Sequence, residues 1–193
     1  MKKISRVLVM AVCLSMAIMM SGCTASPEKT AERFLDAVRS LDATEAAKYV
    51  LDADNSDLVD RFSPERLEQA KFLKPVFGRI TYQLQKPSVS SGVATVPVRI
   101  TCVDVPRVMG GVVTQAISAA FASSFSGESQ DMDIYVEQLL VNAVNDPSAP
   151  MTTVDTVLPL RKVHGRWLLA FDDESADAFL NAVTGNLGKA LDL

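Results

Sequence analysis

The sequence VATVPVRITC, residues 93–102, alternates apolar and polar side chains along its whole length. A period of two residues is typical of a β-strand that buries one face and exposes the other. The buried face of this strand would carry Ala94, Val96, Val98, Ile100 and Cys102. Pro97 falls on the outward row. Because proline has no N–H to donate, the strand is expected to have either a free edge or a bulge at that point.

Three further strands are predicted around this one. Residues 80–84 alternate in the same way, and Ser90-Ser91-Gly92 is typical of the turn between the two strands. Strands are also predicted at 154–161 and 167–171. The segment that joins these two contains His164-Gly165, which fits a two-residue turn with positive φ at the glycine. The sequence therefore predicts antiparallel hairpins.

Helices are predicted at both ends of the chain, over residues 27–41, 42–50, 63–75 and 173–184. Ser26 would cap the first helix and Pro27 would occupy its first position, where a missing N–H costs nothing. Asp42 and Glu45 have the spacing of a capping box. Gly185 is the expected C-cap of the last helix. Helices and an antiparallel sheet together predict the α+β class.

A helical pair is predicted to interrupt the sheet, over residues 106–125 and then up to Val144. Its first member has a wide apolar stripe, made of Met109, Val112, Val113, Ala116, Ile117, Ala120 and Phe121. A long helix on a sheet has to bury such a stripe, so we expect it to be core or a lid over the sheet. A docking helix for a partner is the alternative.

The N-terminus has the three regions of an export signal. Basic residues occur within 2–6, residues 7–20 are almost entirely apolar, and Met20-Ser21-Gly22-Cys23 follows. The apolar run is shorter than the ~20 residues that a membrane-spanning helix needs. Met20-Ser21-Gly22-Cys23 resembles the lipobox of bacterial lipoproteins, which implies a signal peptide at 1–22 and lipidation of Cys23. We expect a lipid-anchored protein on the extracytoplasmic face of the cell membrane, with a short tether at 23–26.

Composition predicts a single folded body after this signal. The chain has 193 residues, of which 48% are hydrophobic and 22% charged, and no repeat or linker divides 27–193. The formal net charge is −4, and it becomes −7 once Lys2, Lys3 and Arg6 are removed with the signal. Such an acidic protein is not expected to bind nucleic acid.

The layout resembles the NTF2-like (cystatin-like) superfamily. The hairpin at 162–169 and the opening segment at 27–38, followed by Asp42 and 46–49, are similar to bacterial surface lipoproteins whose NTF2-like domain has no assigned function. The resemblance covers most of residues 27–172. It implies a cone in which N-terminal helices pack on a curved antiparallel sheet, with a helical insertion between strands. Enzymes of the superfamily use the concave face of that sheet as a pocket.

Candidate pocket residues are the aromatic side chains Tyr49, Tyr82, Tyr135 and Trp167. No catalytic residue is assigned, because His164 is expected at an exposed turn and Cys102 in the core. The acidic groups at 52–60 and 172–174 lack the glycine and terminal glutamate of a calcium loop. No metal site and no cofactor are predicted. The fold alone is not sufficient evidence for an enzymatic activity.

Three functions are compatible with these observations. The first is a lipid-anchored, non-catalytic module that binds an apolar small ligand or another envelope protein. The second is an enzyme of the NTF2-like isomerase or cyclase type, acting on a hydrophobic small molecule. The third is a structural surface domain that forms a homodimer. A carboxylate buried opposite a tyrosine hydroxyl in an accessible cavity would favour the enzyme.

Overall fold

The computed structural model describes residues 25–51, 73–126 and 131–190, and these form a mixed α and β structure around a curled antiparallel sheet. The helices are α1 (Pro27–Arg39), α2 (Ala43–Ala47), α3 (Leu73–Gly78), α4 (Val105–Ser126), α5 (Met132–Asn145), α6 (Asp173–Val183) and α7 (Leu187–Ala190). The strands are β1 (Thr81–Leu84), β2 (Ser88–Ser90), β3 (Val93–Val103), β4 (Met151–Val163) and β5 (Arg166–Leu169). The α+β class is confirmed.

Several predictions concern residues outside those ranges. The signal peptide at 1–22, the lipidation site Cys23, the acidic group at 52–60 and the start of the third predicted helix at Ser63 all belong to this part of the chain. They stay predictions.

The sheet is organised by the long antiparallel pair of β3 and β4. Their register runs from Val93 opposite Arg161 to Val103 opposite Met151, and the strand order is β1-β3-β4-β5 with β2 also paired to β3. The predicted inward row of β3 is confirmed, since every member of it is at most 1% exposed: Ala94, Val96, Val98, Ile100 and Cys102. Alternation along the chain therefore identified the buried face correctly.

Of the two arrangements predicted at Pro97, a bulge or a free edge, the structure has the bulge. Pro97 lies on β3, a central strand of the sheet. Leu84 pairs with Val98 and Ser88 with Thr95, so three residues at 85–87 oppose two on β3. The carbonyl of Pro97 accepts from the Gln85 N–H at 2.9 Å. The ring nitrogen of Pro97, which has no N–H, faces this same side. Because the regular ladder is interrupted at the bulge, no hydrogen bond is required from that nitrogen. The alternative, a free edge, is wrong.

Both predicted hairpin turns form, each with two residues at positive φ. His164 and Gly165 have φ of 47° and 81°, and Ser91 and Gly92 have 47° and 82°. This is the geometry that matches the right-handed twist of the paired strands. The expectation that His164 lies at an exposed turn is confirmed.

Helices α1 and α6 contribute the aromatic centre of the core. Phe34 on α1 packs against Phe179 on α6 and against Phe171, with ring centroids 5.4 and 5.9 Å apart respectively. Phe171 was predicted within the last strand, but β5 ends at Leu169. Its ring joins this cluster from the loop before α6, so tertiary packing replaced strand pairing there.

Helices α1 and α2 begin at the predicted N-cap residues, but α2 ends earlier than predicted. Ser26 and Asp42 cap α1 and α2 as expected, accepting from the N–H groups of Lys29 and Glu45. The predicted capping box is not completed, because the Glu45 carboxylate binds Lys48 and Tyr49. However, α2 ends at Ala47 rather than Val50, because Leu169 N–H donates to the Tyr49 carbonyl and Val50 bridges to Leu169. The bonds to the edge of β5 thus compete successfully with a further helical turn.

The prediction that a helix ends at Pro75 is wrong. Pro75 lies within α3, which continues to Gly78.

Helix α6 begins as the sequence predicts and ends one residue earlier. The carboxylate of Asp172 accepts from the Ser175 N–H at 2.9 Å, and the Asp172 N–H donates to the Ser175 hydroxyl oxygen. The C-cap residue is Thr184, one position before the prediction, and Gly185 follows it with φ of 66°. A Cβ on Gly185 would lie 2.7 Å from the Val103 carbonyl oxygen, so the glycine also allows the helix end to approach β3.

The helical pair α4–α5 gives the largest departure from prediction. Val105, Val108 and Val112 of α4 are buried, but Val113, Ile117 and Phe121 are more than half exposed, as is Phe125. The expected core or lid role is therefore wrong for these side chains, which face solvent. The two helices satisfy much of their packing with each other, and Arg79 ties the end of α5 to the body through the Val144 carbonyl at 2.8 Å.

Candidate functional site

The four candidate pocket residues lie on separate elements. Tyr49 follows α2, Tyr82 is on β1, Tyr135 is on α5 and Trp167 is on β5. The structure brings Tyr49 next to β5, because the Leu169 N–H donates to the Tyr49 carbonyl at 2.7 Å. Tyr82 instead contacts α1, and Tyr135 lies in the second turn of a helix that pairs with α4. Their assignment to one pocket stays a prediction.

Tyr82 is bound to the exposed side of α1. Its hydroxyl donates to Asp36 Oδ1 at 2.8 Å and lies 3.3 Å from the Glu32 carbonyl. Arg39 also contacts Asp36 Oδ1, at 3.2 Å. Partial burial and then the Asp36 carboxylate raise the pKa of Tyr82. This tyrosine therefore stays neutral and acts as a hydrogen-bond donor that fastens β1 to α1.

Tyr49 makes a similar contact with Glu45. Its hydroxyl donates to Glu45 Oε1 at 2.6 Å, and Lys48 binds the other oxygen of the same carboxylate. The hydrogen bond with Lys48 and then that with Tyr49 hold the pKa of Glu45 below its usual range. Glu45 is thus a stable anion and a weak base at neutral pH.

An open, polar cleft of about 530 Å³ lies beside these groups, between α1 and α2. It is lined by Arg33, Asp36, Ala37, Ser40, Asp42, Glu45 and Tyr49. The carboxylates are on the surface, since the side chains of Asp36 and Glu45 are 48% and 38% exposed. A general base that works near neutral pH needs a carboxylate whose pKa is raised, whereas the pKa of Glu45 in this cleft is lowered. The cleft is not an apolar cone pocket.

The concave face of the sheet, where the resemblance implies a pocket, is packed with side chains. Beyond the inward row of β3, Leu158 and Leu160 of β4 and Leu169 of β5 are each at most 1% exposed. Phe34 and Phe179 lie in the same core cluster. The row that would line a pocket therefore serves as the core of the protein.

Trp167 and Cys102 have structural surroundings. The ammonium of Lys162 lies 5.8 Å from the centre of the Trp167 ring, directly across the β4–β5 pair. The Cys102 thiol donates to the Ala182 carbonyl at 3.2 Å, and burial raises its pKa to about 11. A thiol with so high a pKa is a poor nucleophile, which agrees with the expected core role.

Acidic groups within the described residues cap helices and pair with neighbours. Asp172, from the acidic group at 172–174, accepts from Ser175, whose hydrogen bonds hold the pKa of Asp172 below its usual range. In the ranges that the structure describes, no three His, Cys, Asp or Glu side chains are grouped to hold a metal ion.

The surface that sequence reasoning missed is the outer side of α4. We call the side chains of Val113, Ile117, Phe121 and Phe125 the apolar ridge; they are 53%, 53%, 65% and 88% exposed. A signal for it was present, because residues 108–127 contain no charged side chain. Hydropathy shows that a helix is apolar but not which neighbour covers it, so this signal alone did not distinguish core from surface.

Helix α4 also meets the length and composition of a membrane span over Val105–Phe125, although its N-terminal turns pack in the core of the domain. Comparison with known proteins adds no assignment: no family model, curated protein or solved structure matches the chain.

Proposed function

We propose that this chain is a lipid-anchored, extracytoplasmic interaction module with an NTF2-like fold, which works by surface contact and not by catalysis. The observation that carries this proposal is the apolar ridge, four large side chains in solvent on one helix. Exposed contiguous apolar surface on a folded domain marks an interaction site.

The order of elements supports the NTF2-like part of the proposal. Short helices precede a curled antiparallel sheet, α1 packs on the inner face of that sheet, and a tight hairpin closes it near the end of the chain. The pair α4–α5 would be an insertion between the two longest strands. A projecting insertion adds surface to such a domain without disturbing its core.

The anchor is supported by the sequence Met20-Ser21-Gly22-Cys23 and by its distance from the domain. Cys23 precedes the N-cap residue Ser26 by three positions. Three extended residues reach about 10 Å, so a lipid on Cys23 would hold the start of α1 close to the membrane surface. One lipidated cysteine with several acyl chains gives stable retention without a basic patch.

The packed inner face supports surface contact over the binding of an apolar small ligand. The residues that would line a cone pocket are in the core, and the open cleft near Tyr49 is lined mainly by polar side chains. Small-molecule pockets are usually concave and largely apolar. Neither surface has that character, whereas the apolar ridge is well suited to protein contact.

Membrane fractionation of the full chain and of a Cys23→Ser variant tests the anchor. We expect the unaltered protein in the membrane fraction, where detergent but not high salt releases it. The variant should lose this detergent-dependent retention, because it cannot receive the diacylglyceryl group. Equal partitioning of the two chains would contradict the proposal.

Native mass spectrometry of the detergent-released protein tests the choice between surface contact and a ligand pocket. We expect no tightly bound small molecule after the detergent is removed in the gas phase. A stoichiometric apolar molecule, retained in a Cys23→Ser preparation as well, would contradict function by surface contact and favour the pocket around Tyr49, Tyr82, Tyr135 and Trp167.

A further inference from the structure

We propose that the partner of the apolar ridge is a second copy of this chain, with the two α4 helices packed antiparallel about a two-fold axis at Ile117. This inference rests on the proposed function, because it names the partner of the interaction surface. It follows from the spacing, the sizes and the charges of the residues along α4.

The apolar ridge and Met109 together form a row that is symmetric about Ile117. These five side chains recur at every fourth position, and Met109, at the N-terminal end of the row, is partly buried against the core. Side chains at i and i+4 form a ridge that packs into the groove of a second helix. In an antiparallel pair centred on Ile117, Val113 would meet Phe121 of the other copy and Met109 would meet Phe125. Each contact then occurs twice, as a two-fold interface requires.

The side-chain sizes favour the antiparallel arrangement. Gly110 and Val113 make the N-terminal half of the exposed face small, whereas Phe121 and Phe125 make the C-terminal half bulky. A Cβ on Gly110 would meet no atom within 4 Å, so the space outside this glycine is open. Antiparallel packing places the bulky half of one helix on the small half of the other. A parallel pair would place phenylalanine against phenylalanine and leave a gap at Gly110.

The charges at the two ends of α4 favour the same arrangement. Arg107 is exposed in the first turn, and Asp131 and Asp133 are exposed where α5 begins, beyond the C-terminus of α4. An antiparallel pair brings the arginine of each copy toward the carboxylates of the other. A parallel pair would bring the two acidic ends together, which costs energy at low ionic strength.

The charges around α4 also disfavour a lipid bilayer as the partner of the apolar ridge. Helices that lie on a membrane surface are typically rich in Lys and Arg on the polar face. Between Arg107 and Arg161 this chain has no basic residue, and acidic residues flank the far end of α4. The anionic surface of a membrane would repel that end.

The surface available is enough for a weak dimer. Ile134 of α5 is also 53% exposed and adds to the apolar area near the tip of the helical pair. Two such patches bury on the order of 1,200 Å², the lower limit of specific interfaces. Anchoring both copies in one membrane would raise their effective concentration and favour the dimer.

Symmetric disulfide cross-linking in membranes tests the register. The Ile117→Cys variant of the full chain places two thiols at the proposed axis, close enough for a disulfide. We expect an oxidised dimer that reducing agent dissolves. The matched control is Gln115→Cys, exposed on the same helix but roughly 160° around its axis from Ile117, and it should stay monomeric. With Cys13 removed in the signal peptide and Cys23 lipidated, as proposed, Cys102 is the remaining native thiol; it is buried and should add no background.

The outcomes separate this inference from the proposed function. No dimer from Ile117→Cys, or equal dimer from Gln115→Cys, overturns the antiparallel pair. If the Ile117→Cys thiol is instead protected from a water-soluble maleimide by the membrane and forms no dimer, the bilayer is the occupant. Cross-linking is measured in the fraction that contains the protein, whether membrane or soluble. The dimer can therefore be confirmed even if fractionation contradicts the lipid anchor, and the anchor can be confirmed even if no dimer forms.

Sedimentation of the Cys23→Ser chain gives a second test that needs no new cysteine. We expect reversible self-association, and loss of it in a Phe121→Asp variant, which places carboxylates in the proposed interface. Phe121 is 65% exposed, so this change should leave the fold intact, as an unchanged thermal unfolding profile would show. A monomer at all accessible concentrations before that substitution would overturn the inference.

Discussion

Cys102 is a buried thiol whose environment explains both its inertness and its effect on stability. It is fully buried near the end of β3, where it donates to the Ala182 carbonyl of α6. The low polarity of this site disfavours the thiolate, and the pKa of Cys102 rises from 9.0 to about 11. A group that holds its proton more tightly in the folded state stabilises the fold while that proton stays bound.

This difference in pKa between the folded and unfolded states predicts that the contribution of Cys102 to the free energy of unfolding depends on pH. Below pH 9 the thiol is protonated in both states, so its contribution is fully present. Between pH 9 and 11 the unfolded chain ionises first, and the contribution falls, by about 2 kcal/mol at most. Urea unfolding of the unaltered chain and of Cys102→Ala should therefore give a stability difference that shrinks over this range. A difference that is constant from pH 8 to 11 would contradict the assignment.

At the scale of the element, α4 is a helix with one face in the core and one in solvent. Val112 is 4% exposed, and its neighbour Val113 is 53% exposed. Both are valines in the same helical turn, so they differ in environment and not in chemistry. Helix α4 therefore offers a comparison in which burial is the main variable.

Substitution of each valine by alanine should separate the two faces. Val112→Ala removes buried methyl groups and should lower the free energy of unfolding by about 2 kcal/mol. Val113→Ala should be neutral or slightly stabilising in the monomer, because alanine has the higher helix propensity. Chemical denaturation at low protein concentration measures both. Equal losses would mean that the apolar ridge is packed against the body after all.

At the scale of the whole molecule, the sheet core and the α4–α5 pair differ in how they are held. β3 and β4 pair along eleven residues each and are covered on one side by α1 and α6. The outer turns of α4 and α5 pack mainly on each other, with Val112, Val144 and Arg79 joining their inner ends to the body. Such a projecting unit can open without unfolding the sheet.

Hydrogen exchange should reveal two levels of stability. In the monomeric Phe121→Asp chain, amides at 114–126 and 131–140 should exchange with a smaller opening free energy than those of β3 and β4. The reason is that fewer buried apolar contacts are lost when the helical pair opens. Mass spectrometry of exchanged peptides resolves the two groups. Identical protection in both would show one cooperative unit.

Local chemistry in the sequence is enough to predict much of this fold. Alternation identified the buried row of β3, and Ser26 and Asp42 were predicted correctly as N-caps because capping depends on neighbours within a few residues. The turn at His164-Gly165 was predicted correctly for the same reason. The bulge at Pro97 was one of two outcomes compatible with proline, and strand pairing decided between them.

Features that depend on distant neighbours could not be predicted in this way. α2 stops at Ala47 because β5 supplies hydrogen bonds to the next residues, and Phe171 leaves the strand to join two other rings. The surroundings of Tyr49 and Tyr82 likewise depend on which carboxylates the fold brings near them. The same holds for the apolar ridge: hydrophobicity belongs to each residue, but exposure is decided by which other elements occupy the space around α4.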